Sequence, residues 1–451
     1  MLVGMKRRIF RLLPAILLIL LVPVLPALET QPAAIYHARR AALAAELKGG
    51  VAVLFSAPEP LLDFDPYRQD SDFFYLTGWN EPDAALVVVA ARQTEPQRAY
   101  QEILFLPTRD LRMEKYTGQK LDAATPDAAR LTGVDAVRPM TELPAVLNSL
   151  VDRDRSLLRR LWTEPGSQSA QALLSFLGST LGVATTPAAH DVSEPVANLR
   201  AVKDAGEIEL MKKASAASIA GQRVLFHAVK TGATERAVAG AMIAAWMAAG
   251  CERPSYAPIV GSGPNSTVLH YSANDRTMHQ GELVVADAAC EYSMYASDIT
   301  RTVPVGGHFT PRQREIYNIV LGAQQAAVDA FVAGKSKLND RDRQDPDSLD
   351  QAAYNYINTH GKSLTGEPLG KYWLHGLGHL VGLDVHDPTQ YPVVLKPGMV
   401  FTIEPGVYIP EENLGVRLEC TFLVGTDGKL IDLTAGLPHT AEDVEAAMRA
   451  E

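Results

Sequence analysis

The 451-residue sequence predicts a two-domain chain of the α+β class. Three observations carry that expectation. From about residue 33 to residue 195, apolar strand-like runs alternate with helical patterns. An Ala-rich helical segment then opens at Asn198. Beyond it come two hairpin-like pairs of apolar strands, each interrupted by acids.

Read in order, the chain begins with Lys6, Arg7, Arg8 and Arg11 ahead of an uncharged apolar stretch from Leu12 to Leu28. A basic flank before an apolar run is the pattern of a secretory signal, so residues 1–28 read as an export segment with cleavage near Ala27. Pro14, Pro23 and Pro26 interrupt a stretch already short of the about 20 apolar residues a span requires, which leaves an uncleaved membrane anchor as the second reading. Residues 33–195 hold strand-like runs at Val51 to Phe55, Leu86 to Ala90 and Glu102 to Pro107, the signature of an α/β layer domain with its own core. Residues 198–451 form the second domain, and its mixed-charge stretch from Lys335 to Asp347 reads as a solvated loop.

Asp287 ends the run Leu283 to Ala286, and Asp298 follows Tyr295 and Ala296 after a polar corner, so the two read as facing strands of one hairpin. Glu404, after Val400 to Ile403, and Glu419, within Gly415 to Val424, form a second such pair. An acid in a strand of Val, Leu and Ile costs several kcal/mol to bury without a compensating cation or hydrogen bond. Each acid alone can be an edge residue facing water; four in one domain make a cation the economical explanation. The segment His375 to Asp387 adds His375, His379 and His386 among Gly376, Gly378 and Gly382, a pattern for close backbone approach with imidazoles aimed at a reacting centre. Four carboxylates and one imidazole, Asp287, Asp298, His379, Glu404 and Glu419, suit two hard or borderline divalent ions. His270, at the end of a loop leading into a short apolar strand at Val268 and Leu269, taken alone reads as an ordinary histidine.

The segments around His270, Asp287, Asp298, His375 to Asp387, Thr402 to Tyr408 and Gly415 to Glu419 resemble the pita-bread metallopeptidases, which include aminopeptidase P, prolidase and methionine aminopeptidase. The run Arg68 to Ala84 resembles the creatinase-like N-terminal domain of aminopeptidase P and prolidase, which narrows the resemblance to the proline-directed branch. It implies a catalytic domain of two pseudo-symmetric halves, helices packed on a curved antiparallel sheet. It also implies that Asp287 holds one ion, that His379 and Glu404 hold the other, and that Asp298 and Glu419 bridge them.

By the same resemblance, a hydroxide between the ions attacks the peptide and releases the first residue from chains with proline in second place. Glu404 carries the proton, His270 stabilises the oxyanion, His386 contacts substrate and His375 forms the wall for the proline ring. Arg417 orients substrate or a bridging carboxylate, or is a plain surface cation. Mn²⁺ is the favoured ion, with Co²⁺, Zn²⁺ and Fe²⁺ also fitting the donor set. Homo-oligomers are common among such proteins. Cys420 stands where the family carries an acid, on the strand face opposite the metal set. A prolidase-type dipeptidase and an inactive peptide-binding scaffold are the competing readings.

The formal charge is −10, and four cations with no acids leave with the export segment, taking it to −14. An acidic chain without a basic stripe is a poor nucleic-acid binder. Cys251, Cys290 and Cys420 read as small buried apolar residues rather than a disulfide framework, with a Cys290 to Cys420 bridge a lesser possibility.

Overall fold

A computed structural model describes residues 28–60, 66–90, 100–164, 166–180, 189–340 and 345–450. Except for Leu28, the export segment lies outside the described residues, as do residues 341–344 of the mixed-charge stretch. Among the described residues no helix is long and apolar enough to cross a membrane.

The first domain is built on a six-stranded mixed sheet. Its strands are β1 (Val51–Phe55), β2 (Ala85–Ala90), β3 (Tyr100–Leu106), β4 (Ala136–Pro139), β5 (Leu161–Thr163) and β6 (His190–Asp191), in the order β4-β3-β2-β1-β5-β6. The first three pair antiparallel and the outer ones parallel. Successive residues alternate between two cores: Val51, Val53 and Phe55 pack under the helices Leu143–Arg153 and Gln168–Thr180, while Ala52 and Leu54 join a core continuous with the second domain. Burial on both faces is why the central strands β1 and β2 are apolar throughout instead of alternating with polar residues.

The second domain adds β7 (Arg253–Pro254), β8 (Ile259–Ser262), β9 (Leu283–Asp287), β10 (Cys290–Tyr292), β11 (Tyr295–Ala296) and β12 (Thr300–Pro304). After these come β13 (Lys337–Leu338), β14 (Val393–Val394), β15 (Val400–Ile403), β16 (Gly406–Ile409), β17 (Leu414–Arg417), β18 (Cys420–Val424) and β19 (Leu430–Asp432). Nearly every pairing is antiparallel: β8 with β9 and β9 with β12 in one half, β15 with β18, β18 with β19 and β16 with β17 in the other. The halves meet where Glu419 N donates to Thr300 O at 3.2 Å and the Thr302 hydroxyl donates to Arg417 O at 2.9 Å. Helix Ala205–Ala228 with Glu235–Ala248 covers one half, and Pro311–Ala330 with Leu349–His360 the other. The two long helices start on capping boxes, Asp204 with Glu207 and Thr310 with Gln313, which satisfy backbone donors the first turn leaves unpaired.

Several expectations change. The helix foreseen at Asn198 is two: Ser193–Arg200 ends, and Ala205–Ala228 restarts on its own cap. Val268 and Leu269 do not form a strand; the chain leaves β8 through a 3₁₀ turn, Gly263–Thr267. Lys335 to Asp347 is not simply a solvated loop, since β13 pairs with β14 and Leu338 and Asp340 are buried. The cysteine reading is also corrected. Cys251 and Cys290 form a disulfide: β7 pairs with β10, and Cys251, two residues before β7, lies with its Cα 6.1 Å from that of Cys290. Cys420 is the buried free thiol, 3.7 Å from Arg301 Nη2 and 3.9 Å from His439 Nδ1.

Of the three cysteines, one alone should react with a thiol reagent when the oxidised protein is unfolded in denaturant without reductant. Three reactive thiols under those conditions would contradict the pairing.

Candidate metal centre and active site

Asp287, Asp298, His379, Glu404 and Glu419 line one cavity of about 1000 Å³, together with His270, His375, His386 and Arg417. The acids do not sit inside strands as expected. Asp287 is the last residue of β9, Asp298 lies two before β12, Glu404 directly follows β15 and Glu419 directly precedes β18. At such breaks the pleat no longer dictates direction, so acids from both halves can turn into the same space.

The donor atoms of Asp298, His379 and Glu419 all lie within 4.8 Å of one another. His379 Nε2 is 3.3 Å from Asp298 Oδ2 and 3.4 Å from Glu404 Oε1. The His379 segment runs along β15: Thr402 N donates to His379 O at 2.9 Å and Glu404 N to Leu377 O at 2.8 Å. This explains Gly378, where a Cβ would stand 2.0 Å from Thr402 O. Gly378 thus permits close approach of one protein segment to another, and Gly376 and Gly378 also line the cavity.

The remaining histidines ring the site. The Tyr408 hydroxyl donates to His375 Nε2 at 2.8 Å, and His375 Nδ1 lies 2.7 Å from Gly376 O. Burial and the nearby Arg417 charge lower His375 to about 4, and burial with the neighbouring His379 lowers His386 to about 4. Both imidazoles are therefore neutral at neutral pH. His386 is carried on a loop anchored by a buried ionic cluster. Arg200 Nη2 lies 2.6 Å from both Asp387 Oδ1 and Asp384 Oδ2, Arg200 Nη1 lies 2.6 Å from Asp72 Oδ1, and Lys203 Nζ lies 2.9 Å from Asp387 Oδ2. Burial alone would raise Asp387, but Lys203 and Arg200 outweigh it and hold the carboxyl below its usual range.

Arg417 is buried, which removes the surface-cation reading. Its Nη2 donates to Asp287 Oδ2 at 2.6 Å, its Nη1 to the Tyr408 hydroxyl at 2.9 Å and its Nε to Thr300 Oγ1 at 3.2 Å. Thr300 in turn donates to Glu419 Oε2 at 2.7 Å, so Arg417 is linked to Glu419 through that hydroxyl.

Tyr256, Thr300, Tyr408 and Asn339 were not foreseen as site residues. Tyr408 was readable: the register opposing Gly406 to Arg417 and Tyr408 to Gly415 puts Tyr408 and Arg417 on one face. Tyr256 stands in an uncharged loop with nothing to mark it, yet its hydroxyl is 2.5 Å from both Asp287 Oδ1 and Asp298 Oδ1. A phenol has one proton to give, so Tyr256 cannot donate a full hydrogen bond to both carboxylates at once. Burial and then Asp287 push Asp298 well above the carboxylate range, burial and then Glu419 do the same to Glu404, and burial and then Asp298 do so to Glu419. Oxygen and imidazole donors, converging and too crowded to ionise together, fit a pair of divalent cations.

Residues 209–426 match the model of metallopeptidase family M24, and residues 36–158 match the N-terminal domain of aminopeptidase P. The chain is 32% identical over 449 residues to the Xaa-Pro aminopeptidase of Haemophilus influenzae, covering 92% of this chain and 96% of that one. This chain belongs to the Xaa-Pro aminopeptidases of metallopeptidase family M24. The Escherichia coli Xaa-Pro aminopeptidase is 33% identical over 92% of this chain and 97% of its own. The structure of proline aminopeptidase P II from Yersinia pestis superposes with a TM-score of 0.80 at 30% identity, covering 93% of this chain and 99% of that one. A zinc-substituted E. coli aminopeptidase P in complex with product superposes with a TM-score of 0.79 at 29% identity, covering the same 93% and 99%. As an M24 metallopeptidase, this Xaa-Pro aminopeptidase is a hydrolase dependent on divalent metal ions, and the pita-bread and N-terminal domains are those of its family.

An acid whose pKa is raised by folding stabilises the fold below its unfolded value, and that contribution is lost as pH rises through the folded value. Asp298, Glu404 and Glu419 therefore favour the metal-free fold at low pH and oppose it as they are forced to ionise. Divalent cations replace those protons. The rise in Tm on adding a divalent ion should be several degrees larger at about pH 8 than at about pH 5, as scanning calorimetry would read it. An equal rise at both would contradict the protonated cluster.

Proposed function

We propose that the enzyme releases the N-terminal residue from peptides whose second residue is proline. The observation that carries this is the joining of a five-donor carboxylate and imidazole cluster to a wall of neutral histidines in one cavity. Asp287 would hold one ion, His379 and Glu404 the other, with Asp298 and Glu419 shared, and Mn²⁺ is the expected ion. When bound, the ions supply Lewis acidity and lower the pKa of water.

The protein groups do the rest. Glu404 takes a proton from water and hands it to the departing nitrogen, a task suited to a carboxyl held above its usual range. The Thr402 hydroxyl, 3.2 Å from Glu404 Oε1, steadies it. His270 and His386 offer neighbouring donors on the cavity wall to the oxyanion and to the substrate. His375 is tied at Nε2 by Tyr408, so it is held as a wall for the proline ring rather than acting on a proton. Such a wall matters because proline supplies no N–H by which an extended-substrate peptidase would grip it. Arg417 orients Asp287.

Release of one residue is favoured over a dipeptidase because the relatives matched along nearly the whole chain are Xaa-Pro aminopeptidases. Export is supported by the basic and apolar N-terminal segment and by the Cys251 to Cys290 disulfide, a bond that persists in oxidising compartments.

Purified enzyme with Mn²⁺ should liberate the first residue from Xaa-Pro-Yaa-Zaa peptides and stop when a chelator is added. Cleavage confined to Xaa-Pro dipeptides would make it a prolidase instead. Glu404→Gln should lower kcat by about 10²–10⁴-fold, and unchanged turnover would overturn the assignment of Glu404.

A further inference from the structure

Each long helix of the catalytic domain buries one glutamine against the ligand-bearing strands. Gln222, on Ala205–Ala228, is fully buried, and its Nε2 donates to Ala288 O at 2.9 Å and to Ile299 O at 3.0 Å. Gln324, on Pro311–Ala330, is equally enclosed, and its Nε2 donates to Ile403 O at 2.8 Å and to Leu418 O at 3.1 Å. These four carbonyls are not an arbitrary set. Ala288 and Ile299 directly follow Asp287 and Asp298, and Ile403 and Leu418 directly precede Glu404 and Glu419. One amide therefore grips both aspartate strands, and its counterpart in the other half grips both glutamate strands.

The grip falls where sheet pairing stops. The β9 to β12 ladder ends at Asp287 opposite Thr300. The β15 to β18 ladder ends at Ile403 opposite Cys420, and the β16 to β17 ladder begins again only at Gly406 opposite Arg417. Past these ends the backbone bonds that join the paired strands are sparse, Ala288 N to Ile299 O at 3.1 Å in one half and Leu418 N to Pro405 O at 3.4 Å in the other, so the glutamine amides add donors where few backbone bonds set the strand spacing. A carboxamide NH₂ offers two donors at fixed separation, which a hydroxyl or an apolar side chain cannot.

We propose that Gln222 and Gln324 are positioning residues for the metal pair: each sets the separation of two carboxylate ligands by holding the adjacent carbonyls, Gln222 for the aspartates and Gln324 for the glutamates. The proposal rests on the dinuclear reading of the site. It assigns the two amides unequal effects on the two ions, because Glu404 serves one ion with His379 while Asp287 serves the other.

The test is metal affinity, read by chelator competition with Zn²⁺ on the folded full-length chain. Met matches Gln in length and lacks the donors. Gln324→Met should weaken one of the two ions by about 10–100-fold and Gln222→Met the other, the size expected when support behind a metal ligand is removed. Gln325→Met is the control, since Gln325 is exposed on the same helix and its side-chain Nε2 donates to Asp329 Oδ1 at 2.8 Å. If a Met variant fails to fold, Gln324→Asn keeps the amide but withdraws it by one methylene, and the same weakening is expected. Wild-type affinity in the folded Gln324 and Gln222 variants, or an equal loss in the control, overturns the proposal while leaving the dinuclear site intact. A wild-type chain that binds no divalent ion overturns both.

Discussion

Mutual repulsion among acids packed out of water is the constraint around which the catalytic half is organised. Two like charges about 4 Å apart repel by roughly 4 kcal/mol at an effective dielectric near 20. A domain's whole net stability is about 5–15 kcal/mol. Four ionised carboxylates in one cavity therefore cannot be carried by packing alone. Without cations the cluster must hold protons, and that is how Asp298, Glu404 and Glu419 respond. Arg417 supplies one fixed positive charge at Asp287, too little to neutralise the set. Divalent ions resolve the crowding, and the geometry that makes metal-free ionisation so unfavourable is what makes metal binding favourable.

The rest of the fold keeps that cluster from relaxing. Two antiparallel halves bring acids together from opposite sides at points where strand pairing lapses, so the ligands cannot retreat along a ladder. The His379 segment is bonded along β15, and its glycine at position 378 permits the contact. The N-terminal domain contributes directly. Asp72 meets Arg200, which clamps Asp384 and Asp387 on either side of His386, while Arg68 Nη2 donates to Leu383 O at 2.7 Å. His386, on the cavity wall, is thus held partly by residues of the other domain.

Much of this was legible from residue order. Strand runs in the first domain stand out because they are buried on both faces, and Val51 to Phe55 matches β1 at both ends. The acids were conspicuous because a carboxylate beside Val, Ile and Leu has no reason to be there without a partner. What stayed hidden depends on contacts between residues remote in sequence. Tyr256 reaches Asp287 and Asp298 from an unmarked loop, and Arg200 acts through acids 184 and 187 positions away. The Cys251 to Cys290 bond follows from pairing of a two-residue strand too short to leave a periodic signal. One-dimensional alternation does not show where a ladder stops, so acids at strand breaks look in sequence like acids inside strands.

The most direct test of the central claim is an anomalous-scattering map from crystals of the enzyme grown with Mn²⁺. Two peaks, both among Asp287, Asp298, His379, Glu404 and Glu419, with Arg417 still at Asp287, are the predicted result. A cavity without peaks, its acids still bridged by Tyr256 and Arg417 at saturating metal, would contradict it.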